Sequence, residues 1–180
     1  MNTPTTHFGP IRQIAYVVED IGSDVQQWLR GTGIGPWFVF RNVELDARFH
    51  GRAGTVRMDV ALGYQGELEI ELIRPTSFVG SPYVGAEGRL LLGPHHIAFF
   101  VEDVAARARS ARDQGLEPVF FARNPVVQLA YLEFGGAHDV RYELIQYTPD
   151  GLSGWHERVR AARDWDGTQP LREFDLASLT

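Results

Sequence analysis

The chain repeats itself, and that constrains its fold more than any other feature of the sequence. Residues 12–20 read Arg-Gln-Ile-Ala-Tyr-Val-Val-Glu-Asp and residues 95–103 read His-His-Ile-Ala-Phe-Phe-Val-Glu-Asp, identical at five of nine positions. A second pair follows in the same order: Ile-Glu-Leu-Ile at 70–73 and Tyr-Glu-Leu-Ile at 142–145. Self-similarity of this kind marks a duplicated supersecondary unit, in which each copy needs the other to bury its apolar face. Gln13 and Glu71 stand 58 positions apart and His96 and Glu143 stand 47 apart, so the first copy carries extra loop.

The segments between these landmarks also correspond. Residues 11–19 are β-branched and apolar and predict a strand. Ser23 then caps a helix with Val25, Trp28 and Leu29 on one face, and Gly31, Gly33 and Gly35 end it. Strands are predicted at 37–43, 55–62 and 67–74. In the second copy a strand at 96–102 leads into a helix capped by Asp103 and running through Gln114, where Gly115 stops it. Strands at 117–122, 126–134 and 139–147 follow. Each copy is therefore βαβββ. The expected organisation is a first module at 8–74, a Gly/Pro-rich linker at 75–93, a second module at 94–148, and a C-terminal segment at 149–180 with one helix near 154–164. The fold class is α+β: two tandem βαβββ modules forming a half-open, eight-stranded, barrel-like cup.

Composition narrows the function classes. The net charge is −6 and all 17 basic residues are Arg, with no basic run. Nucleic-acid binding, which needs a clustered cationic face, is not expected. The absence of cysteine excludes disulfides, thiolate metal sites and a cysteine nucleophile. No apolar stretch approaches the ~20 residues that span a bilayer, and Met1–Pro10 lacks the apolar core of a signal peptide. A cytoplasmic protein without a membrane partner is expected.

Strand alternation places the polar residues of the repeat. Ile14, Tyr16 and Val18 share the face that packs under the first helix, which puts Gln13 on the other. Ile97, Phe99 and Val101 lie under the second helix, and His96 opposite. Ile70 and Leu72 face the helix while Glu71 faces away. Tyr142 and Leu144 do the same, with Glu143 facing away. If the two copies pair by pseudo-symmetry, Gln13, Glu71, His96 and Glu143 converge. One imidazole nitrogen and three oxygen donors suit a hard or borderline divalent cation. Glu69 shares the face of Glu71 and competes with it as a ligand; the Glu-Leu-Ile register favours Glu71. His95 competes with His96; the Ile-Ala match favours His96 and turns His95 toward the helix side or the linker.

These motifs, together with Gly33-Ile-Gly-Pro-Trp, resemble those of the vicinal oxygen chelate superfamily, which includes glyoxalase I, methylmalonyl-CoA epimerase and bleomycin-resistance proteins. The resemblance covers residues 10–148. It implies that the metal is held by the first- and last-strand polar residues of each module, which fall on Gln13, Glu71, His96 and Glu143. The metal would be Zn, Ni, Co, Mn or Fe. It also implies an isomerase or lyase that moves a proton next to a carbonyl of a small organic substrate, with Glu143 as the base. A homodimer is implied as well, because modules of this superfamily often complete their barrels across chains. The Gln/Glu/His/Glu set resembles glyoxalase I; the Gly-Ile-Gly-Pro-Trp stretch looks more like the epimerase branch, whose separate base has Glu44 as its nearest counterpart, in a poorly matching context. Two alternatives remain: a non-catalytic small-molecule binding cup, and an extradiol dioxygenase, which would need a second cup-facing histidine.

Other residues carry weaker signals. His7, His50, His138 and His156 fall in arm, loop or tail contexts and read as solvated. Gly31–Gly35 has neither the Walker nor the Rossmann spacing and reads as a turn. The many aromatic residues suggest an apolar pocket for an aromatic or acyl-thioester substrate. Arg57, Arg74 and Arg141 read as surface groups or as partners for a substrate anion.

Overall fold

The computed structural model describes residues 7–77, 80–85, 87–135 and 141–179. The first copy of the repeat runs β1 (Gln13–Val17), α1 (Ile21–Thr32), β2 (Trp37–Phe49), β3 (Arg52–Gln65) and β4 (Leu68–Pro75). The second runs β5 (Gly93–Phe100), α2 (Val104–Ser110), a 3-10 turn (Ala111–Gln114), β6 (Leu116–Arg123), β7 (Val127–Phe134) and β8 (Arg141–Tyr147). Then come α3 (Pro149–Arg163), β9 (Leu171–Asp175) and a second 3-10 turn (Leu176–Leu179).

Local chemistry sets the element boundaries. The first strand ends at Val17, short of the predicted Glu19, because Asp20 starts the helix: its carboxylate accepts from the Ser23 backbone N–H at 2.6 Å. The cap is thus Asp20, and Ser23 lies inside the first turn. Gly33, at φ 72°, closes α1 in the left-handed conformation that favours glycine. In the second copy Asp103 caps α2 through the Ala106 N–H. The helix tightens to 3-10 geometry at Ala111 before Gly115 ends it, a common way for a helix to close. His138 and the predicted start of β8 at 139 lie outside the described residues.

The sheet order is β3-β4-β1-β5-β8-β7-β6-β2-β9, and β2 also pairs with β3. Eight strands therefore close on themselves. β1 runs parallel to β4, β5 runs parallel to β8, and β1 and β5 meet antiparallel where the two copies join. β2 is shared along its length. Asp46–Phe49 pair with β6, whereas Trp37–Arg41 pair in parallel with β9. Between these halves the register shifts from Phe40/Val60 to Val43/Met58. Asn42 takes φ 58° there, and its N–H donates to the buried Asp59 carboxylate at 3.0 Å. This bulge turns the strand from one neighbour to the other.

Alternation sorts the core as the sequence requires. Val18, Ile14, Tyr16, Ile70 and Leu72 pack under α1 with Ile21 and Val25. Ile97, Phe99, Tyr142 and Leu144 pack under α2 with Val104 and Ala108. The other strand faces line the inside of the cup, where Ala15, Val17, Leu45, Met58, Val60, Phe120 and Tyr131 meet. A further cluster joins Phe38, Leu62 and Tyr64 to Trp155 of α3, so the helix lies across one end of the cup. Gly151 makes that approach possible, since a Cβ there would come within 2.2 Å of the Val126 carbonyl oxygen.

Candidate functional site

The β1–β5 junction brings one polar residue of each copy to the same place, and β4 and β8 flank it with a second. Gln13, His96 and Glu143 are buried; Glu71 is half-buried at the cavity wall. The four groups meet at one atom. His96 Nε2 lies 2.8 Å from Glu143 Oε2, 3.0 Å from Gln13 Oε1 and 3.5 Å from Glu71 Oε2.

A single ring nitrogen can satisfy at most one of three acceptors. Glu143 Oε2 sits close to His96 Nε2 but has no hydrogen-bond partner. Burial keeps the His96 ring neutral, lowering its pKa to about 3, and the nearby Arg141 charge acts in the same direction. The carboxyl of Glu71 is held well above its ordinary range, first by burial and then by Glu143 and Glu69. That of Glu143 is raised well above its range by burial and then by Glu69. When Glu71 and Glu143 are ionised, two carboxylates and an amide oxygen surround a neutral imidazole with too few protons to pair them, the state that burial and mutual repulsion penalise.

That imbalance is what a divalent cation would correct. Among the described residues, no three His, Asp or Glu side chains already stand as a metal cage by themselves. Yet donors sharing one ion at about 2.1 Å lie roughly 3.0–3.4 Å from each other, and the three separations from His96 Nε2, at 2.8, 3.0 and 3.5 Å, bracket this range. The N/O donor set fits borderline divalent metals.

Neighbouring side chains orient these donors. Gln13 Nε2 donates to Glu69 Oε1 at 2.6 Å, which fixes the amide with its oxygen toward His96. Glu69 is buried and also accepts from the Tyr64 hydroxyl, which in turn accepts from Arg158 Nε at 2.6 Å. Of the two competing glutamates, Glu71 stands beside His96 and Glu69 behind Gln13. His95 turns toward the linker, as expected: its Nε2 lies 3.1 Å from the Pro82 carbonyl oxygen, and its Nδ1 lies 2.9 Å from His96 Nδ1. His95 Nε2 also lies 3.1 Å from Arg141 Nη1, which can only donate. In the tautomer where His95 Nε2–H donates to Pro82, His95 Nδ1 accepts from His96 Nδ1–H and His96 Nε2 keeps the lone pair a metal ligand requires. In the one where His95 Nε2 accepts from Arg141, His95 Nδ1–H donates to His96 Nδ1 and the proton sits on His96 Nε2.

The site opens into a cavity of about 490 Å³ whose walls are mainly apolar. Phe40, Leu45, Met58, Val60 and Leu129 line it, and Glu71 and Glu143 stand in its wall. Sequence reasoning missed Tyr83 and Arg158, and counted Tyr131 only among the many aromatic residues. Tyr83 and Tyr131 line the cavity with their hydroxyls 2.7 Å apart, and Arg158 enters from α3. Of the arginines it did consider, Arg57 pairs with Glu44 and Arg74 with Asp59, away from the site, whereas Arg141 pairs with Glu133 and also reaches His95, its Nη1 3.1 Å from His95 Nε2. Glu44 is exposed, paired with Arg57 and outside the cavity lining, so it is not placed to act as the base.

The model of the Glyoxalase/Bleomycin resistance protein/Dioxygenase superfamily matches residues 12–127. The chain belongs to this superfamily. The matched span contains Gln13, Glu71 and His96 and ends before Glu143. Among solved structures, methylmalonyl-CoA epimerase from Mycobacterium tuberculosis aligns with a TM-score of 0.55 at 17% identity, over 84% of this chain and 97% of that one. A Streptomyces coelicolor methylmalonyl-CoA epimerase variant in complex with 2-nitronate-propionyl-CoA aligns with a TM-score of 0.51 at 20% identity, over 79% and 96%. A hypothetical protein from Bacillus halodurans C-125 aligns with a TM-score of 0.52 at 21% identity, over 77% and 94%. At such identities the likeness establishes the fold alone. No curated protein matches the chain. No helix among the described residues is long and apolar enough to cross a membrane.

Proposed function

We propose that the chain is a metal-dependent isomerase or lyase that moves a proton next to a carbonyl of a small organic substrate. The observation that carries this is the meeting of three oxygen acceptors at His96 Nε2, with Glu143 Oε2 buried and unpartnered, in the wall of an apolar cavity. Gln13, Glu71, His96 and Glu143 would hold the ion. When bound, a divalent metal supplies Lewis-acid polarisation of the substrate carbonyl.

The protein's own groups do the rest. Glu143 serves as the base. Burial raises its proton affinity, which brings a carboxylate nearer the neutral range in which general bases work best. Glu71 reaches the same cavity from the other copy of the repeat, a second carboxylate able to hold or return the proton. The apolar walls exclude water and strengthen electrostatic interactions with charge that develops on the substrate. An acyl-thioester substrate is consistent with the acyl-CoA ligand in the Streptomyces coelicolor epimerase complex. Methylmalonyl-CoA itself is a first compound to assay. A dioxygenase is disfavoured, since the position related to His96 by the repeat is Gln13, and His95 turns to Pro82.

Elemental analysis of protein purified without chelator tests the metal, and α-proton exchange into D₂O tests the chemistry. Near-stoichiometric divalent metal, lost in His96→Ala and Glu143→Ala, is expected. Wild type that holds none and takes none up from added Zn²⁺, Ni²⁺, Co²⁺ or Mn²⁺ would overturn the proposal and leave a binding cup. Sedimentation of the purified chain tests the homodimer that the superfamily resemblance implies.

A further inference from the structure

Arg158 is the only basic side chain lining the cavity among the described residues, and it shares the lining with Glu71, Glu143 and Asp150. It comes from α3, outside the repeat. Its Nε is committed to the Tyr64 hydroxyl, and its guanidinium lies over the rings of Phe40 and Tyr64, at 5.7 and 5.9 Å from their centroids. No ion pair or hydrogen bond engages either Nη among the described residues. Glu69, the carboxylate whose charge acts on Arg158, has its oxygens taken by Gln13 and Tyr64. Tyr147 lines the same cavity and feels the charges of Arg158 and of the carboxylates, and its hydroxyl likewise has no hydrogen-bond partner among the described residues.

A guanidinium held by one nitrogen, with a fork of N–H groups left over, is built to take a planar anion. We infer that Arg158 is a substrate-recognition residue, and that the natural substrate carries a carboxylate, set apart from its reacting carbonyl, which docks on Arg158 with help from Tyr147. A carboxylate fits better than a phosphate. One arginine balances one negative charge, whereas a dianion in an apolar cavity that already contains three acids would be left under-compensated. The word substrate here rests on the proposed function; the carboxylate site itself does not.

The test uses a matched pair of probes, 3-phenylpropanoate and 3-phenylpropanamide, which share an apolar body and differ in charge. Binding is measured by calorimetry on the full chain as purified and after chelation, for wild type, Arg158→Gln and Arg158→Lys. Wild type should prefer the carboxylate by about tenfold or more, as expected for a charge-assisted hydrogen bond. The preference should vanish in Arg158→Gln, and should weaken in Arg158→Lys, with amide binding unchanged. It should persist after chelation. Should Arg158→Gln fail to fold, as read from its melting curve, Arg158→Lys decides alone. A preference that survives Arg158→Gln means that another group reads the carboxylate, and overturns the inference. So does wild type that binds neither probe up to its solubility limit, or binds both equally. Loss of the metal readout with the carboxylate preference intact would sink the proposed function and leave this site standing.

Discussion

Replacing His95 with phenylalanine probes the tautomer argument most directly. His95 is buried, with its ring against Tyr83 and Tyr131 at centroid distances of 4.9 and 5.5 Å, and phenylalanine keeps most of that packing. What it removes is polar: the contact with His96 Nδ1 and the hydrogen bond to the Pro82 carbonyl oxygen. Loss of such an outer partner to a metal-binding histidine typically weakens metal affinity 10–100-fold, about 1.4–2.7 kcal/mol. The two groups left unpaired cost stability too, about 1–3 kcal/mol each, so the total is roughly 2–6 kcal/mol. In a domain of this size that lowers Tm by on the order of 10 °C. Competition with a chromophoric chelator reads the affinity, and thermal melting followed by circular dichroism reads the stability. A His95→Phe protein that folds and binds Zn²⁺ or Mn²⁺ as tightly as wild type would refute the claim that His95 sets the His96 tautomer.

Three further outcomes are expected. The raised pKa values of Glu71 and Glu143 mean that the metal-free folded state holds protons the unfolded chain releases above the ordinary glutamate value of 4.5. Stability present below that pH is therefore lost as pH rises through the folded values, by up to about 1.4 kcal/mol per pH unit for each proton retained. The lowered pKa values of His95 and His96 act oppositely, but their effect is complete once pH exceeds the ordinary histidine value of 6.5. Chemical denaturation of chelated wild type against Glu71→Gln, from pH 4.5 upward, isolates the carboxyl contribution: wild-type stability should fall relative to the variant as pH rises, and a wild-type stability that rises relative to it would contradict the sign. Gly151→Ala should lift the start of α3 from Val126 and Tyr147, destabilising the fold by about 1–3 kcal/mol; an unchanged melting curve would show that the helix has room to spare. Trp155→Ala should cost about 3–5 kcal/mol by emptying the cluster with Phe38, Leu62 and Tyr64, read by urea denaturation.

What the sequence disclosed depended on whether a residue's partners follow from a local period. The repeat and the two-residue strand alternation were enough to place Gln13, Glu71, His96 and Glu143 at one point. Both periods survive in the finished sheet. Glu69 was visible as a competitor on the same face, but its role needed the Tyr64 and Gln13 contacts, which no spacing encodes. The C-terminal helix was foreseen from 154, yet begins at Pro149. Thr148 caps it through the Gly151 N–H, with proline in the first turn, a start signal that Gly151 and Gly154 obscure. β9 was not foreseen at all. Leu-Arg-Glu-Phe-Asp is a charged segment with no strong alternation, and it becomes a strand because β2 offers an edge more than 130 residues away in the chain. Arg158 was invisible for a related reason: a lone arginine on an amphipathic helix has no periodic signature, and only docking α3 over the cup aims it inward.

The bend in β2 has a consequence for how such a pocket diversifies. Because that strand gives half its length to β6 and half to β9, the wall carrying Arg158 and Leu176 is attached to the barrel without being one of its staves. On the proposed function, substitutions in this appended wall would alter what the pocket accepts while the paired halves continue to hold Gln13, Glu71, His96 and Glu143. Chemistry and selectivity would then be carried by separate stretches of one polypeptide, each free to change at its own pace.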